Sequence, residues 1–74
     1  PCTMNDFFYK NIGLRIAQKR IHRKLGQEKL AELAGLSRNY IGKIERGERK
    51  ATLDAIKQIS IVLNYPLEEL FRGL

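Results

Sequence analysis

The chain is 74 residues long and carries 14 Lys and Arg against 8 Asp and Glu, a formal net charge of +6, which is enough chain for one domain around a small core. Its one cysteine, Cys2, excludes an internal disulfide and a zinc site built from several cysteines. No apolar run reaches the length of a membrane span or a signal peptide, so the expectation is a soluble, cytoplasmic protein.

Residues 1–5 are expected to be a flexible N-terminus or a remnant of cloning, and residues 6–74 to form the domain. Asp6 is a candidate N-cap for a first helix reaching to about Lys24. Phe8, Ile12, Ile16 and Arg20 follow at offsets of four and share one face. An arginine on that apolar face requires an anionic partner, because an unpaired buried charge is strongly destabilising. Phe7, Leu14 and Ile21 make a second face, which either contacts the C-terminal segment or stays partly exposed. His22 stands among Lys19, Arg23 and Lys24 with no second ligand nearby, so it reads as a solvated or phosphate-facing histidine and not as a metal ligand.

Leu25 and Gly26 break this helix, and Gln27 opens the second. From Gln27 to Ala34 the apolar residues Leu30, Ala31, Leu33 and Ala34 recur at offsets of three and four, the spacing of one helical face. Gly35 adopts φ > 0 without steric penalty, so it can end that helix and return Leu36 to the core. Ser37 is the N-cap of a third helix running to about Arg46, with Gly47 as its terminator. Ile41, Ile44 and Glu45 share its inner face, and Asn39, Lys43 and Arg46 the outer one. Glu45 and Arg20 are therefore candidates for a structural ion pair joining the third helix to the first; the alternative is that both heads snorkel to water.

Thr52 caps a fourth helix with Leu53, Ile56, Ile59, Ser60 and Leu63 along one stripe, which leaves Ile61 on the far side. Asn64 fits a left-handed C-cap, and Pro66 the first turn of a short fifth helix carrying Leu67, Leu70 and Phe71. The charge is unevenly spread over these elements. Residues 1–50 hold 12 basic and 5 acidic side chains and residues 51–74 hold 2 and 3, so the positive field belongs to the part with the first three helices.

Two helices joined by a three-residue turn, the second basic on its outer face, make a helix-turn-helix whose second helix can lie in the DNA major groove. The stretch QEKLAELAGLSRNYIGKIER, from Gln27 to Arg46, resembles the helix-turn-helix of the phage Cro and repressor-like transcription regulators. Ala31 matches the small residue that lets the helices pack closely, Gly35 the turn glycine, and Leu30, Leu36, Ile41 and Ile44 the buried positions; the resemblance covers roughly residues 12–71. RNYIGKIERGER further resembles the small controller proteins of restriction-modification systems. Gly26 departs from the serine or threonine that the family more often has there, which weakens the cap.

The resemblance implies an all-α, five-helix DNA-binding domain over residues 6–74. It also implies a homodimer on a symmetric site in double-stranded DNA, without cofactor, metal or small-molecule effector. By position, Arg38 and Asn39 should read base edges, arginine suiting guanine and asparagine adenine, with Lys43 one turn later and Gly42 leaving room for a close backbone approach. Gln27, Arg46, Arg49 and Lys50 should meet the DNA backbone, with Arg49 placed to probe a minor groove. Tyr40 is open between a phosphate or thymine-methyl contact and packing against the neighbouring helix. One recognition helix reads too few base pairs to discriminate among competing sites, so the domain should pair through apolar residues off its core stripe, Ile61 with Leu67 or Phe71. The rival readings are a phage-type repressor and an antitoxin-like interaction module that turns Ile61 and Phe71 toward a protein partner. An enzyme is a poor third reading: one histidine, one terminal cysteine and no cluster of acids on one face offer neither a nucleophile with its base nor a metal set.

Overall fold

Capping chemistry sets most of the helix ends. The computed structural model describes residues 4–74, which form α1 (Met4–His22), α2 (Gln27–Ala34), α3 (Arg38–Glu45), α4 (Leu53–Leu63) and α5 (Leu67–Leu70), with no strand among the described residues. The fold is thus the expected all-α arrangement of five helices. Ser37 Oγ accepts from the Tyr40 amide and Thr52 Oγ1 from the Ala55 amide, each at 3.1 Å, so both hydroxyl caps do the work assigned to them. Pro66 stands at the N-cap of α5, one residue ahead of its first turn.

The first four helices end alike. The amides of Leu25, Leu36, Glu48 and Tyr65 donate to the carbonyls of Arg20, Ala31, Lys43 and Ser60, five residues back, at 2.9–3.1 Å. The residue before each donor is left-handed: Lys24 (φ 61°), Gly35 (72°), Gly47 (74°) and Asn64 (52°). These are Schellman closures, which satisfy carbonyls that a helix end would otherwise leave unpaired. Gly35, Gly47 and Asn64 stand where their residue types place them. Lys24 does not: the break was expected at Leu25 and Gly26, but Gly26 is extended as the N-cap of α2 (φ −80°, ψ 166°). The reversal therefore falls on Lys24, at a cost of about 1 kcal/mol for an L-residue with a Cβ.

The start of α1 also departs from expectation. Asp6 lies inside the helix and does not cap it, and Met4 and Asn5 are helical where a frayed end was expected. An acid suits the first helical turn as well as the N-cap, so residue type alone left the start ambiguous. Pro1 to Thr3, including Cys2, lie outside the described residues. At its other end α1 stops at His22, two residues short of the expected limit, and α3 stops at Glu45, with Arg46 as its C-cap.

Ile12 and Ile16 of α1, Leu30, Ala31 and Ala34 of α2, Ile41 and Ile44 of α3, and Ile56, Ile59 and Leu63 of α4 meet Leu70 of α5 in one core. Each fully buried aliphatic side chain contributes about 2 kcal/mol. Two residues placed on core stripes are outside it. Leu33 is 52% exposed and Leu53 69%. Ala31 and Ala34 bring α2 down along the line of Leu30, Ala31 and Ala34, which turns Leu33 outward. Leu53 is the first residue of α4, and helical side chains lean back toward the N-terminus, so it points past the core while Ala55 is buried instead. Phe7, Leu14 and Ile21 are exposed, which settles the open choice for that face. Phe8 is half-buried and meets the Phe71 ring at 6.1 Å between centroids. No helix among the described residues is long and apolar enough to cross a membrane.

Candidate nucleic-acid interface

The position of α3 is fixed from three sides. Its inner face buries Ile41, Gly42, Ile44 and Glu45. At its C-terminal end α1 comes so close that a Cβ on Gly13 would overlap the Ile44 carbonyl oxygen and stand 2.8 Å from that of Glu45. Glycine at position 13 is therefore what allows the two helices to touch backbone to backbone. Gly47 makes a second close approach, since a Cβ there would lie 3.0 Å from Lys10 Cα.

Glu45 has a side chain only 5% exposed and is the junction of the first three helices. Its Oε2 accepts from Arg20 Nε at 2.7 Å, and its Oε1 from Arg20 Nη2 at 3.1 Å and Gln27 Nε2 at 2.9 Å. Arg20 Nη1 donates to the Leu25 carbonyl at 2.8 Å. A buried carboxylate with this many donors is compensated for its desolvation, and no buried side-chain nitrogen or oxygen among the described residues lacks a partner. Snorkelling of Arg20 and Glu45 to water is thereby excluded. One of the two Gln27 amide hydrogens is committed to this junction and the other stays available.

With its inner face locked, α3 presents Arg38 and Asn39 exposed at its N-terminal end and Lys43 half-buried one turn on. Asn39, Tyr40 and Lys43 line a shallow groove of about 320 Å³ with Ser37 and Arg49. Tyr40 is half-buried: its hydroxyl accepts from the Thr52 amide at 3.2 Å, and the Arg49 guanidinium lies 5.5 Å above its ring. That cation–π contact holds Arg49 beside the end of the recognition helix. Lys50 is exposed. Gly42, expected to leave room for a close backbone approach, is instead buried beneath neighbouring side chains. A Cβ there would meet Arg46 Nη1 at 3.0 Å and Gln27 Oε1 at 3.7 Å, so the guanidinium of Arg46 lies across the helix surface that a side chain would otherwise fill.

Arg46 is not a free cation. Its Nε and Nη2 donate to the two carboxylate oxygens of Glu48 at 2.9 and 3.2 Å. The bond holds the Glu48 carboxyl below the usual carboxylate range and raises the Arg46 guanidinium above its own. Nothing in the side-chain periodicity pointed to Glu48, because the pair spans the left-handed turn at Gly47 and not a helical face.

Several of the basic residues counted with the positive field have internal duties. Arg15 Nη1 donates to the carbonyls of Leu70 and Glu69 at 2.9 and 3.3 Å, and Arg23 Nε to that of Leu63 at 2.9 Å. Each supplies a cation to carbonyls at a helix C-terminus. Lys19 Nζ sits 4.7 Å from the centroid of the Tyr65 ring. Exposed His22 lines a groove with Arg15, Gln18, Lys19 and Tyr65. Among the described residues no three His, Cys, Asp or Glu are grouped so as to hold a metal ion. Ile61 is 62% exposed on α4, whereas Leu67 and Phe71 are half-buried and pack on the core.

Comparison with known proteins matches this arrangement. A helix-turn-helix family model covers residues 16–70. The control protein C.SmaI of Serratia marcescens is 46% identical over 46 residues, 62% of this chain and 55% of that protein; the match thus spans about half of that relative's length. The control protein C.BamHI of Bacillus amyloliquefaciens is 41% identical over 59 residues, 78% of this chain and 73% of its own. Among solved structures, the restriction-modification controller protein C.AhdI from Aeromonas hydrophila superposes with a TM-score of 0.82 at 38% identity, covering 85% of this chain and 96% of that one.

Proposed function

This chain belongs to the helix-turn-helix DNA-binding regulators and, among them, to the restriction-modification controller proteins, and from that premise we propose that it binds a specific symmetric operator as a homodimer and controls transcription there. The family is one of regulators and not of enzymes. The observation that carries the proposal is the state of α3: a helix held by Gly13, Arg20 and Gln27 on one side, with Arg38 and Asn39 exposed at the end that enters a groove first. Rigid support behind exposed polar side chains is what direct readout requires.

Within this reading Arg38, Asn39 and Lys43 read base edges, and Arg46, Lys50 and the N-terminus of α2 meet phosphates. Gly26 gives α2 no side-chain cap, which leaves its first amides to an anion, with the remaining Gln27 hydrogen beside them. Arg49, steered by the Tyr40 ring, is placed for a minor groove.

Selection of bound duplexes from a random pool defines the operator, and Arg38→Ala then tests the assignment. The substitution is expected to cost about 1 to 3 kcal/mol on the selected site, relaxing the preference at one base pair while binding to random duplex stays nearly unchanged. Equal losses on both duplexes in a titration would move Arg38 to the phosphate contacts.

Two-fold pairing supplies the discrimination that one short helix lacks. The domain measures 33 × 24 × 21 Å, a size that suits recognition helices set one DNA turn apart, roughly 34 Å. Ile61, an exposed large apolar residue of α4, is the proposed centre of the contact, with the half-buried Leu67 and Phe71 of the C-terminal segment. Ile61→Asp should abolish dimers in sedimentation and weaken operator binding while leaving helical content intact. A wild-type protein that sediments as a monomer at micromolar concentration and binds a single half-site would refute the dimer.

A further inference from the structure

We propose that Glu48 is a built-in stand-in for a DNA phosphate: its carboxylate occupies the Arg46 guanidinium in the two-bond geometry a phosphodiester would use, so that DNA has to displace it to gain the contact. The proposal rests on the reading of Arg46 as a phosphate-contacting residue. The two bonds, Nε to Oε2 at 2.9 Å and Nη2 to Oε1 at 3.2 Å, are the parallel fork that guanidinium makes with carboxylate and phosphate alike.

The pair has no evident duty in folding. Its side chains are 54% and 55% exposed, and ion pairs that wet contribute little to stability. It joins residues two apart across the turn at Gly47, so it connects no two helices. Its position, by contrast, is that of a binding element. The guanidinium lies across Gly42 beside Gln27, next to the uncapped N-terminus of α2. From Arg38 to Lys50 the chain has two acids; Glu45 is buried in the helix junction, and Glu48 alone shows its carboxylate on the basic surface. A single exposed carboxylate there, bonded to a cation expected to bind DNA, lowers the number of cations available to a duplex by one.

The number of phosphates neutralised sets the salt dependence of binding, with a slope of about 0.9 per contact. Glu48→Gln removes the charge and nearly preserves the shape. It is expected to raise affinity for random duplex about tenfold at low salt and to steepen the salt slope by about one unit. Glu68→Gln, an exposed acid on α5, makes the same change in net charge and is expected to leave the slope unchanged. Arg46→Ala should weaken binding to random duplex less in the wild-type background, where the contact first has to be won from Glu48, than in the Glu48→Gln background, where it should erase the whole gain. That non-additivity is the signature of the pair.

Glu48→Gln and Glu68→Gln with the same affinity and slope would overturn the proposal, as would a Glu48→Gln gain that survives Arg46→Ala. A wild-type protein that binds no duplex even at low salt would remove the DNA-binding reading and this inference with it. Wild-type binding together with a silent Glu48→Gln variant would remove this inference alone.

Discussion

Alanine at position 13 is expected to lower the stability of the folded domain by about 3 kcal/mol, the upper end of what overpacking costs. The added methyl group would overlap the carbonyl oxygen of Ile44 and press on that of Glu45, and neither is the end of a flexible side chain that can rotate away. Relief requires α1 and α3 to separate, which also strains the bonds from Arg20 to Glu45 and loosens Ile12 and Ile16 against Ile41 and Ile44. Small domains hold only about 5 to 15 kcal/mol in total, so the variant loses a large share of its margin. Gly26→Ala is the comparison. Nothing lies within 4 Å of a Cβ there, and its backbone is already extended. A urea midpoint for Gly13→Ala no lower than that for Gly26→Ala would mean that the two helices have slack.

Arg20→Ala should destabilise by about 3 kcal/mol, because it leaves Glu45 buried with Gln27 as its remaining side-chain donor. The estimate stays at the low end of the range for broken buried pairs because Arg20 is 13% exposed and water can reach part of the site. Replacing both partners by apolar residues of similar size, Arg20→Met with Glu45→Leu, should recover much of the loss, since the buried charge is then gone. Chemical denaturation of the three variants measures both effects. A change below about 0.5 kcal/mol for Arg20→Ala, the range of ordinary surface substitutions, would show that the pair stabilises nothing.

These two positions differ in how far the sequence reveals them. Arg20 and Glu45 announce themselves, because a charge on an otherwise apolar helical face is a local anomaly that asks for a partner. The same holds for Ser37, Gly35, Thr52 and Asn64, whose residue types carry their own conformational preference. Gly13 carries no such signal: a glycine inside a helix looks like a mild defect, and the carbonyls it accommodates belong to residues brought near only by the fold. Arg15 and Arg23 are similar, since their partners are backbone carbonyls at helix ends and backbone atoms leave no mark in a sequence. Glu48 was hidden for a different reason. Helical neighbour rules link residues three or four apart, whereas Glu48 reaches Arg46 around a left-handed turn. Leu33 and Leu53 show the converse limit, as a periodic stripe says which residues share a face but not how wide the buried part of that face is.

The recognition helix has only eight residues, well short of the length at which a helix persists alone in water. Its order is borrowed from α1 through Gly13 and Arg20 and from α2 through Gln27. The amides of α3 from Tyr40 onward, which are hydrogen-bonded, therefore exchange with solvent chiefly by opening these contacts, and α3 forms one cooperative unit with the core. Loss of fold and loss of recognition then become the same event. A substitution far from α3 then lowers the amount of binding-competent protein through its effect on stability.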